Sequence, residues 1–183
     1  MRKLIYAINA TLDGYADHEA GIADDELHDF YTDLLRVSGA ILYGRVTYQL
    51  LASYWPIAPD LPTSTPSEIE FANAINSVQK IVFSKTLEKA EWNNSRLVRD
   101  NVVEEVLKLK SQPGKDIYVG GLSLASSLMD QGLVDEYWLV IHPIFLGSGK
   151  PLTKELHHRV DLKLLDLRPF KSGAVALHYR AND

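Results

Sequence analysis

A chain of 183 residues with 46% hydrophobic and 23% charged side chains has the size and composition of one globular domain, able to bury a core without cross-links. With Cys 0, disulfides and thiolate metal sites are excluded, which fits a reducing compartment. The formal net charge of -5 argues against general affinity for nucleic acid or an anionic membrane, yet leaves room for a local basic pocket that holds a small anion.

The apolar run after Met1-Arg2-Lys3 is too short for a secretion signal and no stretch is long enough to span a bilayer, so a cytoplasmic protein is expected. Leu4 to Ile8 reads as a buried strand and Asn9 to Gly21 as a loop. Asp24 is placed to cap a helix with Leu27, Phe30, Tyr31, Leu34 and Leu35 on one face and acids in its first turn. Ala40 to Tyr43 is a second strand, ending at Gly44-Arg45 before a short helix over Val46 to Leu51. Ser53 to Pro66 carries four of the eight prolines and reads as a loop or flap. Ser67-Glu68-Ile69-Glu70 opens the next helix in a near capping-box pattern with Glu70. Gln79 to Ser84 is a third strand, Arg96 to Val98 a weaker fourth, and Val102, Val103, Val106 and Leu107 mark an amphipathic helix.

The centre of the chain is Ile117-Tyr118-Val119-Gly120-Gly121, followed by Leu122, Ala125, Leu128 and Met129 at helical spacing and by Gly132 as a stop. The unit is strand, Gly-Gly, helix. Such a pair is either a tight turn or a place where a phosphate meets unpaired helix amides and the positive end of the helix dipole. Beyond it, Tyr137 to Ile141 is a strand, His142 to Pro151 a loop, and Val160 to Arg168 with Ala174 to Tyr179 an antiparallel hairpin. Helices alternating with early strands and strands in series later predict a single α/β domain over residues 1–183. Its expected form is a three-layer, mostly parallel central sheet with helices on both faces and an antiparallel C-terminal hairpin.

In a parallel sheet Gly44-Arg45, Ser84-Lys85-Thr86 and Gly120-Gly121 lie at the carboxyl edge, where such sheets bind ligands. Arg45 and Lys85 suit a phosphorylated ligand; the alternative for each is a solvated surface cation. Gly147-Ser148-Gly149-Lys150 fits neither G-x-G-x-x-G, because Leu152 replaces the last glycine, nor a P-loop, because Pro151 follows the lysine. Gly121-Leu122-Ser123-Leu124-Ala125, with Asp135 and His142 after it, offers a serine hydrolase as an alternative, although Ser123 falls inside the helix rather than on the turn. The six histidines show no zinc spacing, and no metal site is expected.

Thr11-Leu12-Asp13-Gly14-Tyr15-Ala16-Asp17, Gly44-Arg45-Val46-Thr47-Tyr48, Val82-Phe83-Ser84-Lys85-Thr86-Leu87, Ile117-Tyr118-Val119-Gly120-Gly121, Leu133-Val134-Asp135-Glu136 and Pro143 to Leu152 together resemble the dihydrofolate-reductase-like superfamily. The resemblance is greatest to the branch holding the reductase domain of bacterial riboflavin biosynthesis and its small stand-alone relatives. It runs nearly end to end; Thr153 departs from the phenylalanine usual after Pro-Leu. It implies an NADPH-dependent reductase of a small heterocyclic, aminopyrimidine or pterin-type substrate, acting as a homodimer; a nucleotide-binding module without turnover is the other alternative. It further implies that Gly120, Gly121, Leu122 and Ser123 meet the pyrophosphate, Arg45 and Thr47, after Gly44, the adenosine-side phosphates, Ser84 and Lys85 the adenine ribose end, and that Ala7 lies beside the nicotinamide. Asp13 and one carboxylate of the first helix supply the proton or charge opposite the cofactor. Asp24, Asp25, Glu26 and Asp29 are on offer, and the family's spacing back from Phe30 selects Glu26.

Overall fold

The structure, a computed structural model, describes residues 1–153 and 156–182. Its strands are β1 (Leu4–Thr11), β2 (Ala40–Gly44), β3 (Lys80–Phe83), β4 (Ser95–Val98), β5 (Ile117–Gly120), β6 (Glu136–His142), β7 (Leu162–Pro169) and β8 (Val175–Ala181). Its helices are α1 (Asp25–Val37), α2 (Arg45–Ala52), α3 (Pro66–Ser77), α4 (Val102–Ser111) and α5 (Leu122–Asp130), with one 3-10 turn at Ala58–Asp60. The strands make one mixed sheet in the order β4-β3-β2-β5-β1-β6-β8-β7, mostly parallel and antiparallel at its C-terminal end. By compactness the chain divides into Met1–Arg2 with Ala23–Tyr118, and Lys3–Ile22 with the chain from Val119 onward.

In the first unit β2, β3 and β4 pair in parallel, with Ile41 opposite Lys80 and Lys80 opposite Ser95. Asp24 Oδ1 accepts the Leu27 amide at 2.8 Å and caps α1 as the sequence indicates. The cap of α3 lies upstream of the expected one: Thr65 Oγ1 accepts the Glu68 amide and Glu68 Oε2 accepts the Thr65 amide, a full capping box. Pro66 explains the shift, because a proline fits the first turn of a helix, where its missing N–H costs nothing, and so Thr65 becomes the cap.

Lys80 is a fully buried cation in a strand of buried residues. Its Nζ donates to the carbonyls of Ile75, Asn76 and Val78 at 2.7, 3.2 and 2.8 Å and lies 4.6 Å from the centre of the Trp92 ring. Those oxygens belong to the end of α3, where helix carbonyls lack intrahelical donors. Lys80 supplies them, and the negative end of the helix dipole favours its charge. Burial lowers its pKa to about 8, so it is still mostly cationic at neutral pH. Asn76 continues the network, accepting from Trp92 Nε1 at 2.7 Å and donating to the Trp55 carbonyl at 3.1 Å.

In the second unit β1 runs parallel to β6, from Ile5 opposite Glu136 to Thr11 opposite His142. Residues Asn9 to Thr11, expected in a loop, are strand because each has a partner on β6. β8 pairs antiparallel with both β6 and β7. The leucines of β7 change phase at Leu164-Leu165, and there the register shifts: Leu164 faces Tyr179, Asp166 faces His178, and Leu165 is the extra residue of a bulge. On one face the buried Glu136 carboxylate accepts from Lys3 Nζ at 2.6 Å and His178 Nε2 at 3.0 Å, while the His178 ring stacks on Trp138 at 4.2 Å. Tyr6 meets Tyr137 edge-on at 6.4 Å.

Lys80→Met keeps the apolar stem and removes the donor from three buried carbonyls. A loss of about 2–4 kcal/mol is expected, read as a lower urea midpoint at unchanged slope. A midpoint equal to that of the unaltered protein would show that Lys80 does not cap α3.

Candidate functional site

Helix N-termini carry amides without intrahelical partners, and most chains cover them with side chains. Here α1 and α3 are capped by Asp24 and Thr65 and carry acids in the first turn, and α4 carries Glu104 and Glu105 there. α2 and α5 differ. Each begins at a glycine, Gly44 as the last residue of β2 and Gly121 as the residue after β5, with no side-chain cap and no acid in the first turn.

In the first unit Gly44 lies opposite Phe83, so Arg45 and Ser84 follow neighbouring strand ends. Arg45 Nη1 donates to Gln49 Oε1 at 3.0 Å, and both line an open pocket of about 720 Å³ with Thr86, Lys89 and Glu91. Thr47 is half-buried in the first turn of α2. Ser84 Oγ accepts the amides of Thr86 and Leu87 at 3.2 and 2.9 Å, which folds the 84–87 turn, and Arg99 braces it by donating to the carbonyls of Lys85 and Glu88. Lys85 is 80% exposed, 3.4 Å from Asp100 Oδ1, and does not line the pocket. Lys89 does, paired with Glu91 at 3.3 Å. Sequence reasoning missed it because it stands among alternating charges that read as solvated surface.

Among the acids at the start of α1, Asp24 is the cap and Asp25 Oδ1 accepts from Thr65 Oγ1 at 2.6 Å. Asp29 is exposed and Glu26 half-buried in the first turn. Two of the four candidates, Asp24 and Asp25, thus have structural tasks of their own.

In the second unit Gly121 has φ 92° and ψ 146°, a backbone that a residue with Cβ rarely adopts. It leads to half-buried Leu122 and exposed Ser123 in the first turn of α5. Ala7 is half-buried opposite Trp138. The hydrolase arrangement does not form. Asp135 precedes β6 and accepts the Leu4 amide at 2.6 Å, whereas His142 ends β6 and bonds Ile22 and Asn9. At about 3.3 Å per residue the two stand roughly 20 Å apart along one strand, too far to form a triad.

Asp13 organises the loop after β1. Its carboxylate accepts from Thr11 Oγ1 at 2.6 Å and from the amides of Leu146 and Gly147 at 3.1 and 2.7 Å, joining the 12–22 and 142–152 loops. The Thr11 hydroxyl first, and the Gly147 amide with it, hold its pKa down at about 2. Asp13 is therefore a fixed negative charge at working pH, and of the two roles open to it only charge, not proton donation, fits this geometry. Leu12 and Ala16 complete the join through bonds to the carbonyls of Ile144 and Lys150. Among the described residues, no group of three His, Asp or Glu side chains could hold a metal ion, and no helix is long and apolar enough to cross a membrane.

A mixed α/β sheet of this order, with an antiparallel C-terminal end, defines a protein of dihydrofolate-reductase-like fold. The chain belongs to the RibD C-terminal domain family, whose model matches residues 2–176. It is 40% identical over 185 aligned residues to the uncharacterized protein YyaP of Bacillus subtilis (strain 168), covering 99% of this chain and 96% of that one. Of solved structures, it resembles a candidate riboflavin biosynthesis protein of Shewanella sp. PV-4 with TM-score 0.75 at 19% identity, covering 99% of both chains. The dihydrofolate reductase of Enterococcus faecalis, solved with NADP(H), matches with TM-score 0.66 at 14% identity over 99% of this chain and 97% of the other. These likenesses show the fold, and family and fold relate the chain to reductases.

The Asp13 carboxylate, depressed to about 2 from an ordinary value of about 3.9, adds stability to the two joined loops above the ordinary value. That contribution is lost as pH falls through the depressed one. Protection of the Gly147 amide, taken relative to the intrinsic exchange rate at each pH, should therefore hold from neutrality to about pH 4 and be lost between about pH 4 and 2. A carboxylate that titrates near 4 by NMR would contradict the assignment.

Proposed function

We propose that the protein is an NADPH-dependent reductase of a small heterocyclic substrate of the aminopyrimidine or pterin type. The observation that carries this reading is the start of α5, left without a side-chain cap or an acid and entered through Gly121 just past the end of β5; within the first unit α2 starts in the same way after Gly44. Each start, taken by itself, has the amides and the dipole end that a phosphate group meets. The residues present fit such a ligand: Gly120, Gly121, Leu122 and Ser123 offer main-chain amides to a diphosphate, and the φ of Gly121 leaves no Cβ in the way. Arg45, Thr47 and Ser84, joined by Lys89, take the adenosine-side phosphate and ribose, with Lys85 a more distant charge. Ala7 is the proposed neighbour of the nicotinamide.

The bound cofactor supplies the hydride. The chain's own work is to orient both reactants and to place charge: Asp13 holds two loops in one arrangement, and Glu26 is the carboxylate assigned to the substrate and its proton. We also propose a cytoplasmic homodimer. Leu162, Leu164 and Leu167 of β7 are 37, 44 and 53% exposed, and with Leu177 and Tyr179 of β8 they form an apolar face of the kind a second copy covers.

The binding experiment is a titration with NADPH, NADH and ATP followed by tryptophan fluorescence. NADPH should bind at least about tenfold more tightly than NADH, because a charge-assisted contact to its extra phosphate contributes about 1.5–3 kcal/mol. Arg45→Ala should remove most of that difference. Gly121→Ala should weaken NADPH binding, and the melting temperature of the free protein should fall as well, because φ 92° strains any residue with Cβ. Equal affinity for the two cofactors in the unaltered protein, or full affinity in a folded Gly121→Ala variant, would sink the reading.

For the assembly, sedimentation at micromolar concentration should give twice the 20.5 kDa chain mass, and Leu164→Lys with Leu167→Lys should return the protein to monomer. A monomeric unaltered protein rules out the dimer without touching the cofactor assignment.

A further inference from the structure

His142 closes β6 and is 1% exposed, and its ring touches two separate parts of the chain. Nδ1 accepts the main-chain N–H of Ile22 at 3.1 Å, and Nε2 stands 3.3 Å from Asn9 Oδ1. These contacts fix the proton. A main-chain N–H can only donate, so Nδ1 carries no hydrogen; the ring hydrogen of a neutral imidazole is then on Nε2, where it meets the amide oxygen of Asn9. The same hydrogen sets which way the Asn9 amide is turned.

Gly21 supports this independently. A Cβ built there would lie 3.3 Å from His142 Nε2, 3.4 Å from Cε1 and 3.7 Å from Cδ2, so the main chain rests against the imidazole. Gly21 does not take a positive φ. A side chain at this position would press on the ring, whereas the backbone itself sets no demand for glycine.

We propose that His142, neutral and protonated on Nε2, is a positioning residue. It orients Asn9, which shares a strand face with Ala7 two residues away, and it fixes where the loop that leaves β1 returns at Gly21-Ile22. Asp13 holds the near end of that loop and His142 the far end. The consequence for hydride transfer rests on the reductase reading, in which Ala7 adjoins the nicotinamide; the tautomer and the anchoring of the loop do not.

The test begins with the unaltered protein near pH 7.5, where long-range 15N NMR of the imidazole should show a protonated Nε2 and a bare Nδ1. Three variants follow. His142→Asn can place its amide oxygen where Nδ1 stands and accept from Ile22, whereas His142→Gln reaches the place of Nε2 and bonds Asn9 instead; His142→Ala does neither. Exchange of the Ile22 amide should remain within about threefold of the unaltered protein in His142→Asn and accelerate about tenfold or more in His142→Gln and His142→Ala, at similar urea midpoints.

A proton on Nδ1, an imidazolium at that pH, or equal protection of Ile22 in the Asn and Gln variants would overturn the proposal. If the variants do not fold, the tautomer of the unaltered protein decides it. NADPH affinity and the division of any effect between KM and kcat are measured on the same variants. Absence of cofactor binding in every form would refute the reductase reading, while the NMR and exchange results would still decide the role of His142.

Discussion

Every buried or ligand-facing main-chain group must find a partner, and the way this chain meets that demand at its helix ends organises the rest. The starts of α1 and α3 are closed by Asp24 and by the Thr65–Glu68 box, and the end of α3 by the Lys80 ammonium. Closing them takes four charged or hydroxylic side chains with fixed geometry, of which Lys80 is fully buried. Against that pattern the starts of α2 and α5 are exceptions of one kind, with glycine in place of a capping side chain and no acid to repel an anion. Structure is spent where the fold must be held and withheld where a ligand's own oxygens can complete the hydrogen bonds.

The second unit applies the same economy to loops. The 12–22 segment has no helix or sheet of its own, yet it is tied by the Asp13 carboxylate to Leu146 and Gly147, by main-chain bonds to Ile144 and Lys150, and by the His142 ring to Ile22. A carboxylate accepting several N–H groups and a buried neutral imidazole each demand one protonation state. The loop's position and the ionisation of two side chains are therefore one variable. Asp13 is legible as a site residue in sequence, but its hydrogen bonds give it a different part from the proton donor that a carboxylate in such a place suggests.

Much of the architecture is readable in the residues because single physical signals dominate there. Asp24 before an amphipathic run, Ile117 to Val119 before two glycines, and Gly132, with φ 65° past the end of α5, are local choices that agree with the fold. The errors fall where a distant partner decides. Asn9 to Thr11 are polar or small and become strand only because β6 extends alongside. The α3 cap moved from Ser67 to Thr65 because Pro66 can occupy only one kind of position. Lys80 falls within the strand expected over Gln79 to Ser84, and nothing nearby in sequence says that three carbonyls at the end of the preceding helix meet its ammonium. Of the residues proposed for the site, Gly121 and Arg45 stand out in sequence through glycine and charge next to strand ends, whereas His142 stands out as a member of a hydrolase triad that strand length forbids. Lys89 and Gln49 reach the pocket through the fold of the 84–87 turn and the pitch of α2, which no local pattern announces.

The extra residue in β7 bears on how this molecule can add to others. An outermost strand exposes a row of unpaired main-chain groups, and a straight one invites another strand alongside, then another, in a series with no natural end. The bulge at Leu165 breaks that row and twists the strand, so its backbone offers no long uninterrupted template. What remains presentable is the leucine-bearing face. Faces brought together by a twofold axis cover each other and leave nothing over, whereas edges do not. One inserted leucine thus makes this outermost strand a poor template for a fibre, and it does so through chain geometry alone.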